Sequence, residues 1–366
     1  MPVPVPPLLR STLSRRAALA LCAVTTLVAG ATAAAGATAA ADATPTPAST
    51  TPAPTPASTS STYDTYANLS YVPNGTSQQT LDLYVPRGRD TGRPVPLIIY
   101  IHGGGWSGGD ASELQANSGW QTYLSDGFAL ASINYTLSGT AKFPQQIYDV
   151  KAAIRYLRAK AGHYHLDGQV GLWGESAGGQ LAALAGATCG VLPLEGSEGV
   201  TRESSCVQAV VDGMGPTDFL QMDTHLLNSS ALQHDPATSP ESQYLGCTSG
   251  LLACDASTVE RANPITYITS SSHLPPYLEV QGDADELVPH WESQILFNAL
   301  AAACDDVTFY TPHGQGHTLF LTGALNPPYP SETVQSSDGC GSPVTNTNGP
   351  TLTWDTLATF FHAHLH

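Results

Sequence analysis

Apolar and polar residues follow two rhythms along the chain, and these predict which segments are strands and which are helices. Residues 66–71 and 80–85 alternate on either side of a Pro-Asn-Gly turn at 73–75, as in an antiparallel hairpin. Residues 96–101 are continuously apolar, which indicates a strand buried on both faces. Residues 143–161 repeat apolar side chains at helical spacing and predict an amphipathic helix, with one face formed by Ile147, Val150, Ile154 and Leu157.

Further elements alternate in the same way towards the C-terminus. We expect strands at 128–135, 207–214, 277–281 and 307–310, and helices at 288–303 and 354–362. Residues 218–264 show no clear period and are interpreted as an inserted cap or loop region. Strands that alternate with helices indicate an α/β fold, with a mostly parallel central sheet, helices on both faces and the N-terminal hairpin at an antiparallel edge.

One stretch organises the candidate chemistry, the sequence VGLWGESAGGQLAALAGA at 170–187. An apolar strand stops at Gly174, Ser176 follows, and a helix of small residues begins behind it. This is the G-x-S-x-G pattern of a nucleophile elbow, in which a serine occupies a strained turn between strand and helix. The alternative is a helix start rich in glycine and serine that has no chemical role. A base, an acid and oxyanion donors elsewhere in the chain would decide between the two.

The acid and the base are expected in loops that follow later strands, since the chain order in folds with this elbow is Ser, then Asp or Glu, then His. The loop 281–289 offers Asp285, which we favour because it lies mid-loop, with Asp283 and Glu286 as a turn former and a helix cap. The loop 310–317 offers His317, which we favour because the two glycines before it give the chain a flexible approach and Thr318 to Phe320 are able to anchor the far side of the loop. The alternatives for the base are His313 and His290.

The oxyanion donors are expected next to the serine and in a glycine loop. His102 follows the first buried strand and is succeeded by three glycines and Trp106. Backbone N–H groups of such a loop turn towards a ligand readily. The predicted donors are the N–H groups of Ala177 and Gly104, with Gly105 as a third. We expect His102 and Glu175 to be structural, whereas Trp106 fits either a wall of the substrate site or a structural contact.

Taken together, these motifs resemble the α/β-hydrolase superfamily. The chain is similar to hormone-sensitive-lipase-like carboxylesterases, and most of all to their feruloyl-esterase-like (BD-FAE) members. The resemblance implies an α/β-hydrolase fold with Ser176 as nucleophile, Asp285 as acid and His317 as base, and it leaves the substrate open. It rests on HGGGW at 102–106, SINYTLS at 132–138, DVKAAIRYLRAKA at 149–161, GLWGESAGG at 171–179, VQAVVDGMGPTDF at 207–219, QGDADELVP at 281–289 and GQGH at 314–317.

The N-terminal part of the chain has the composition of an exported protein. Residues 1–41 combine Arg15-Arg16, a short apolar stretch and small residues, and predict a signal peptide of the Sec or twin-arginine type. Residues 42–62, rich in Pro, Thr, Ser and Ala, are expected to form an extended linker. The catalytic domain is then 63–366, and the protein is expected to be secreted.

The cysteine count indicates the disulfide bonds that we expect, and the net charge excludes some classes of partner. Six cysteines remain after the predicted signal peptide, an even number that implies three disulfides in an exported chain. Nearest-neighbour pairing would give Cys189–Cys206, Cys247–Cys254 and Cys304–Cys340. The formal charge of −17 argues against nucleic acid or an anionic membrane as a partner.

The expected activity is hydrolysis of carboxylic esters by acyl transfer through the serine, without a metal or an organic cofactor. Small-molecule or polysaccharide-linked esters are the expected substrates, among them feruloyl or acetyl groups of plant cell walls. The oligomeric state is left open. The alternatives are a prolyl-type serine peptidase and a catalytically inactive binding module of the same fold. Residues 321–350, rich in Pro, Ser, Gly and Asn, follow His317 directly, where they are able to wall one side of the cleft.

Overall fold

The computed structural model describes residues 62–366, apart from 88–91, 118, 228–229, 231, 271–272, 318–330 and 347–350, together with residues 56, 58 and 59. The expected signal peptide lies outside the described residues, as does most of the expected linker. The strands of the described residues are β1 Ser58–Thr59, β2 Tyr63–Ser70, β3 Thr80–Pro86, β4 Val95–Ile101, β5 Ala129–Ile133, β6 Leu166–Glu175, β7 Ala209–Gly213, β8 Tyr277–Val280, β9 Val307–Pro312, β10 Glu332–Ser337 and β11 Val344–Asn346.

Helices fill the connections between these strands. The α-helices of the described residues are α1 Glu113–Ala116, α2 Trp120–Asp126, α3 Gln145–Ala159, α4 Ala161–Tyr164, α5 Ala177–Ala187, α6 Pro240–Leu245, α7 Ala256–Ala262, α8 Trp291–Ala303 and α9 Trp354–Leu365. Short 3-10 turns lie at Ser77–Gln79, Leu192–Leu194, Phe219–Gln221, Asp223–His225, Leu251–Ala253 and Pro264–Tyr267.

The described strands form one sheet in the order β1-β2-β3-β5-β4-β6-β7-β8-β9-β10-β11. The six strands from β5 to β9 run parallel, and the pairs outside them are antiparallel at both edges. This is the predicted α/β architecture, with the N-terminal hairpin β2–β3 at one edge. Because the carboxyl ends of parallel strands meet at one edge of a sheet, the loops after β4, β6, β8 and β9 converge.

The residues of β4 show why both faces of the sheet are covered. Leu97 and Ile99 belong to the core formed with α3, α5 and α8, whereas Ile98 and Tyr100 belong to the core formed with α2 and α9. All four are almost completely buried. Successive side chains of a strand point to opposite faces, so a continuous apolar run needs a helical layer on each side. The predicted apolar face of α3 is buried as expected.

Several boundaries differ from the sequence-based expectations, and the start of α8 differs for a clear reason. The helix predicted from Val288 begins at Trp291, since the N–H groups of Leu287 and Val288 donate to Oδ1 of Asp285 and hold a turn there. Glu286 therefore does not cap this helix, for which the N-cap residue is His290. The short helices α1, α2, α4, α6 and α7 were not predicted.

The late segment after the glycine loop of His317 also departs from expectation. Its described part, 331–346, forms β10 and β11, and β10 pairs antiparallel with β9. None of these described residues lines the cavity around Ser176. The segment extends the sheet instead of walling the cleft, as far as the structure describes it. Thr318 to Phe320, expected to anchor the far side of the loop, lie outside the described residues.

The region 218–264 is a cap of short turns and two short helices, α6 and α7, rather than an irregular loop. The disulfide Cys247–Cys254 links the end of α6 to the start of α7. The other two pairs are Cys189–Cys206 and Cys304–Cys340, so all three predicted pairings are confirmed. No helix among the described residues has the length and apolarity needed to cross a bilayer.

Candidate active site

Ser176 lies at the turn between β6 and α5, with a backbone φ of 56° that is rare for a residue with a side chain. Crowding leaves no room for side chains around it. A Cβ at Gly174 would collide with the carbonyl of Gly178, and a Cβ at Gly178 would collide with the carbonyl of Ile101. The strained turn exposes the Ser176 hydroxyl at the carboxyl edge of the sheet, as the elbow pattern predicts.

His317 connects Ser176 to Asp285. Its Nε2 lies 2.9 Å from Oγ of Ser176, and its Nδ1 lies 2.8 Å from Oδ2 of Asp285. Because an ionised carboxylate only accepts hydrogen bonds, Nδ1 carries the proton and Nε2 of the neutral ring is free to accept one from the serine. The structure thus brings together three side chains that are far apart in the sequence.

The carboxylate of Asp285 is fixed from several sides. Its side chain is fully buried, and its oxygens accept hydrogen bonds from the N–H groups of Leu287 and Val288 and from the side-chain amide of Gln281. His317 retains 14% exposure of its side chain, so one edge of the ring faces the cavity. A buried, hydrogen-bonded acid holds an imidazole in one tautomer and one orientation.

The glycine loop after β4 abuts the serine. A Cβ at Gly103 would lie 3.1 Å from the carbonyl oxygen of Glu175 and 3.3 Å from Cβ of Ser176, both closer than an ordinary van der Waals contact. Gly104 and Gly105 have φ values of 92° and 55°. The N–H groups of Gly104, Gly105 and Ala177 donate to no other group within the described residues. Three unpaired donors beside a nucleophile are the arrangement an oxyanion requires.

His102 supports this loop from behind. Its ring stacks on Tyr135 at 4.3 Å, and Nδ1 donates to the carbonyl of Gly103. The hydroxyl of Tyr135 lies 3.1 Å from the carbonyls of both His102 and Gly103. Burial lowers the pKa of His102 to about 4, although the Gly103 carbonyl and Asp110 oppose the shift. The ring is therefore neutral at neutral pH, consistent with the structural role expected from the sequence.

A cavity of about 540 Å³ opens above Ser176. Its floor is formed by the glycine loop, the turn at Ser176 and His317. Its other walls are formed by the loop after β7, the loop 281–289 that contains Asp285, and the cap. Besides the three glycines, Ser176 and His317, the lining residues are Trp106, Glu113, Glu175, Ala177, Met214, Pro216, Leu232, His234, Pro240, Glu241, Leu287 and Val288.

The sequence alternatives for the acid and the base form a second pair outside the cavity. Nδ1 of His313 lies 2.7 Å from Oδ2 of Asp283, and its Nε2 lies 2.9 Å from the hydroxyl of Thr333 on β10. His290 is directed to the hydroxyl of Thr311, at 3.0 Å. None of these three candidates lines the cavity around Ser176.

Trp106, for which the sequence left a structural role and a wall of the substrate site open, serves as both, and Glu175, which was expected to be structural, also lines the cavity. Trp106 lines the cavity while its indole N–H donates to Gln180 and its ring stacks on Tyr244. Glu175 lines the cavity and accepts a hydrogen bond from the side chain of Asn117. Burial, with the nearby carboxylate of Glu113, raises the pKa of Glu175 to about 8, so this carboxyl is protonated at neutral pH.

Three polar residues of the lining were missed by the sequence analysis, namely Glu113, His234 and Glu241. None of them belongs to a recognisable motif, and the last two come from the cap, which has no periodic pattern. Only tertiary structure brings them to the cavity. No cluster of three or more His, Cys, Asp or Glu side chains suited to a metal ion occurs in the described part of the chain.

The chain is similar to known esterases in sequence and in fold. A model of the BD-FAE family matches residues 81–300. Esterase LipQ of Mycobacterium tuberculosis is 28% identical over 256 residues, which cover 69% of this chain and 57% of LipQ. A truncated carbohydrate esterase from gut microbiota has 34% identity and a TM-score of 0.63, with coverage of 70% of this chain and 90% of the other. A bifunctional GH43-CE protein of Bacteroides eggerthii has 30% identity and a TM-score of 0.65, covering 82% and 35%.

The chain spans 50% to 59% of the length of the mycobacterial esterases LipQ, LipC and LipM that it matches. The family match at 81–300 covers more than half of the 366 residues and contains the glycine loop, the elbow and Asp285. The chain therefore belongs to the BD-FAE family, and it has the α/β-hydrolase fold.

Proposed function

We propose that this chain is a secreted serine ester hydrolase in which Ser176 is the nucleophile, His317 the general base and Asp285 the orienting acid. The observation that carries the proposal is the position of His317, within hydrogen-bond distance of both Ser176 and Asp285 at the floor of a cavity. A serine hydroxyl is a weak nucleophile at neutral pH and needs such a base. The two successive hydrogen-bond contacts, from Asp285 to His317 and from His317 to Ser176, favour an active enzyme over an inactive binding module.

In the first half-reaction, Oγ of Ser176 attacks the ester carbonyl as Nε2 of His317 takes its proton. The carbonyl oxygen gains the negative charge and is stabilised by the N–H groups of Ala177 and Gly104, with Gly105 as a third donor. When the tetrahedral intermediate collapses, the C–O bond to the alcohol breaks and His317 returns the proton to the leaving oxygen. The acyl group remains on Ser176, and Asp285 stabilises the transient imidazolium.

In the second half-reaction, water replaces the alcohol. His317 takes a proton from the water as its oxygen attacks the acyl carbonyl, and the same N–H groups stabilise the new oxyanion. Collapse releases the carboxylic acid, and the proton returns from His317 to Oγ of Ser176. Each proton removed by the base is given back, so the enzyme regains its starting state without a cofactor.

Carbohydrate-linked esters are the proposed substrates, including feruloyl or acetyl groups of plant cell walls. Two solved structures with at least 30% identity carry carbohydrate esterase or GH43-CE in their descriptions. A cavity of about 540 Å³ is within the range of pockets that bury a ligand with a ring. The three disulfides and the composition of residues 1–62 support export of the enzyme to an oxidising compartment.

The test is hydrolysis of p-nitrophenyl acetate by the wild type and Ser176→Ala. We expect kcat/KM to fall by roughly 10⁶-fold in this variant, as on loss of the nucleophile of other serine hydrolases. Ser257→Ala is the matched control, since Ser257 is exposed in the cap and outside the cavity, and it should keep wild-type activity. Full activity of Ser176→Ala would refute the assignment. Turnover of a proline amide, but of no ester, would favour the peptidase.

A further inference from the structure

The roof of the cavity is built by the cap, which is fixed directly on the glycine loop. Pro240 at the start of α6 lies over Gly105, where an added Cβ would be 3.3 Å from Cβ of Pro240. Tyr244 of the same helix stacks on Trp106 at 4.5 Å with the rings nearly parallel. The side chains that line the roof are therefore held at a defined place above the floor.

Two of the roof residues are polar and almost fully buried. His234 and Glu241 retain 1% and 2% exposure, and Nδ1 of His234 lies 3.0 Å from Oε1 of Glu241. The carboxylate of Asp223 accepts hydrogen bonds from the N–H groups of His234 and Asp235, at 2.6 and 2.9 Å. Backbone and side-chain contacts thus fix this pair while both members line the cavity.

The pair has hydrogen-bonding capacity that the protein does not use. Nε2 of His234 and Oε2 of Glu241 are buried and make no hydrogen bond, and the contact between the two side chains is not aligned as one. A buried polar atom without a partner costs free energy, so native proteins keep few of them. Beside this pair the cavity is lined by apolar side chains such as Leu232, Pro240 and Val288.

The charges around the pair favour a protonated histidine. Burial lowers the pKa of His234, but the carboxylates of Glu241 and Asp223 outweigh it, so that the pKa is raised. Glu292 and Asp235 are the other titratable groups that interact with His234; burial raises the pKa of Glu292 to about 8, and burial together with Asp223 raises the pKa of Asp235. The pair then presents an N–H donor and a carboxylate acceptor.

We propose that His234 and Glu241 form a subsite that binds a hydroxyl group on a ring of the substrate. A hydroxyl both donates and accepts a hydrogen bond, so it suits a donor and an acceptor side by side. The ring itself fits the apolar walls between this subsite and Ser176. This inference rests on the proposed esterase function, and it assigns specificity to residues outside the three that carry the chemistry.

A ring hydroxyl has two possible sources, a phenolic acyl group or a sugar alcohol, and matched ester pairs distinguish them. Methyl p-coumarate and methyl cinnamate differ only by the phenolic hydroxyl of the acyl group. A mono-O-acetyl methyl xyloside and tetrahydropyran-4-yl acetate test the hydroxyls of the alcohol. We expect the wild type to prefer the hydroxylated member of one pair by about 10- to 100-fold in kcat/KM, the range for a hydrogen bond to a charged group.

Substitutions then attribute the preference to the pair. Glu241→Gln should reduce the preference by about 10-fold through a higher KM for the hydroxylated ester, with the ester that lacks the hydroxyl little affected. The double variant His234→Leu/Glu241→Met removes both charges at similar volume and avoids a lone buried charge. It should abolish the preference. Glu260→Gln is the matched control, because Glu260 is an exposed glutamate of the same cap.

The outcomes separate this inference from the proposed function. A wild type that hydrolyses all four esters without preference for a hydroxyl overturns the subsite and leaves the esterase intact. Equal loss of activity on both members of a pair in Glu241→Gln and in the double variant would indicate a purely structural ion pair, and it also overturns the subsite. A wild type that hydrolyses no ester contradicts the proposed function itself.

Discussion

Two histidine–aspartate pairs connect the same two loops of this protein, and they differ in the residue that Nε2 of each imidazole contacts. The inner pair, His317 and Asp285, has a contact of 2.8 Å, and the outer pair, His313 and Asp283, has one of 2.7 Å. Nε2 of the inner histidine lies within hydrogen-bond distance of Ser176 in the cavity. Nε2 of the outer histidine lies within hydrogen-bond distance of Thr333 on strand β10.

Burial separates the two pairs further. The side chain of Asp285 is fully buried and that of His317 is 14% exposed, whereas Asp283 and His313 are each 39% exposed. An exposed pair is screened by water and contributes little, while a buried acid fixes its partner firmly. We therefore propose that burial and the third partner, and not a histidine–aspartate contact alone, distinguish the pair that takes part in catalysis.

The largest expected difference is between the two histidines. His317→Ala removes the proposed base and should lower kcat/KM for p-nitrophenyl acetate by roughly 10⁶-fold. His313→Ala, which truncates the matched residue of the outer pair, should stay within about 3-fold of wild type, because it breaks only an exposed contact. Steady-state kinetics with circular dichroism as a folding control measures both. Comparable losses in the two variants would contradict the distinction.

Substitution of the two aspartates should give the same contrast between the pairs, with a smaller loss of kcat. Asp285→Asn keeps the shape but no longer fixes the tautomer of His317, and we expect a loss of about 10⁴-fold in kcat. Asp283→Asn should remain within about 3-fold. The same kinetic assay applies. A large loss with Asp283→Asn would mean that the outer pair positions the base through the loop.

Removal of the disulfide Cys304–Cys340 tests whether this covalent link is needed to hold the two histidine–aspartate pairs in place. The disulfide joins the residue after α8 to the residues after β10, and the closed loop contains both histidines. Cys304→Ser/Cys340→Ser should reduce the free energy of unfolding by about 2–4 kcal/mol, measured by urea denaturation. We expect kcat of the folded variant to stay near wild type, since the inner pair is held by its own buried contacts. A collapse of kcat at unchanged stability would contradict this.

The smallest effect concerns acid stability. Burial raises the pKa of Asp283, but hydrogen bonds from His313 and Gly314 outweigh it and hold the pKa below its usual value. Its stabilising contribution is therefore present above the unfolded pKa and is lost as the pH falls through the folded value. Asp283→Asn should be less stable than wild type by at most about 1 kcal/mol at pH 6.

This difference should shrink once Asp283 is protonated in the folded wild type. Urea denaturation of the two proteins at pH 6 and again at about pH 2.5, well below the usual aspartate value, measures the change. A difference of the same size at both pH values would show that the carboxylate charge of Asp283 is not the cause.

Much of the fold follows from local patterns. The continuous apolar run of β4, the helical face of α3 and the glycines around Ser176 each had a single structural solution, and the structure agrees. Strands β10 and β11 were missed because they carry few large apolar residues and are defined by backbone pairing with β9 at the sheet edge. Backbone pairing leaves little trace in a single sequence.

The residues of the candidate site likewise fall into those that a local motif predicts and those that only tertiary packing brings into place. The sequence predicted Ser176, Asp285 and His317, which the structure brings together, because motif and chain order point to loops at one edge of the sheet. The elbow, the acid loop and the glycine loop are local features. His234 and Glu241 were not identified, since their place above Ser176 depends on how α6 packs on the glycine loop. Residues that act through tertiary packing have no motif to reveal them.

Covalent labelling with diethyl p-nitrophenyl phosphate tests the central role of Ser176 most directly. Oγ of Ser176 would attack phosphorus, p-nitrophenolate would leave, and a diethylphosphoryl group would remain on the serine. We predict one equivalent of label, located on Ser176 by peptide mapping, formed at the wild-type rate in His313→Ala and far more slowly in His317→Ala. Stoichiometric labelling of a different residue, with loss of esterase activity, would contradict the assignment.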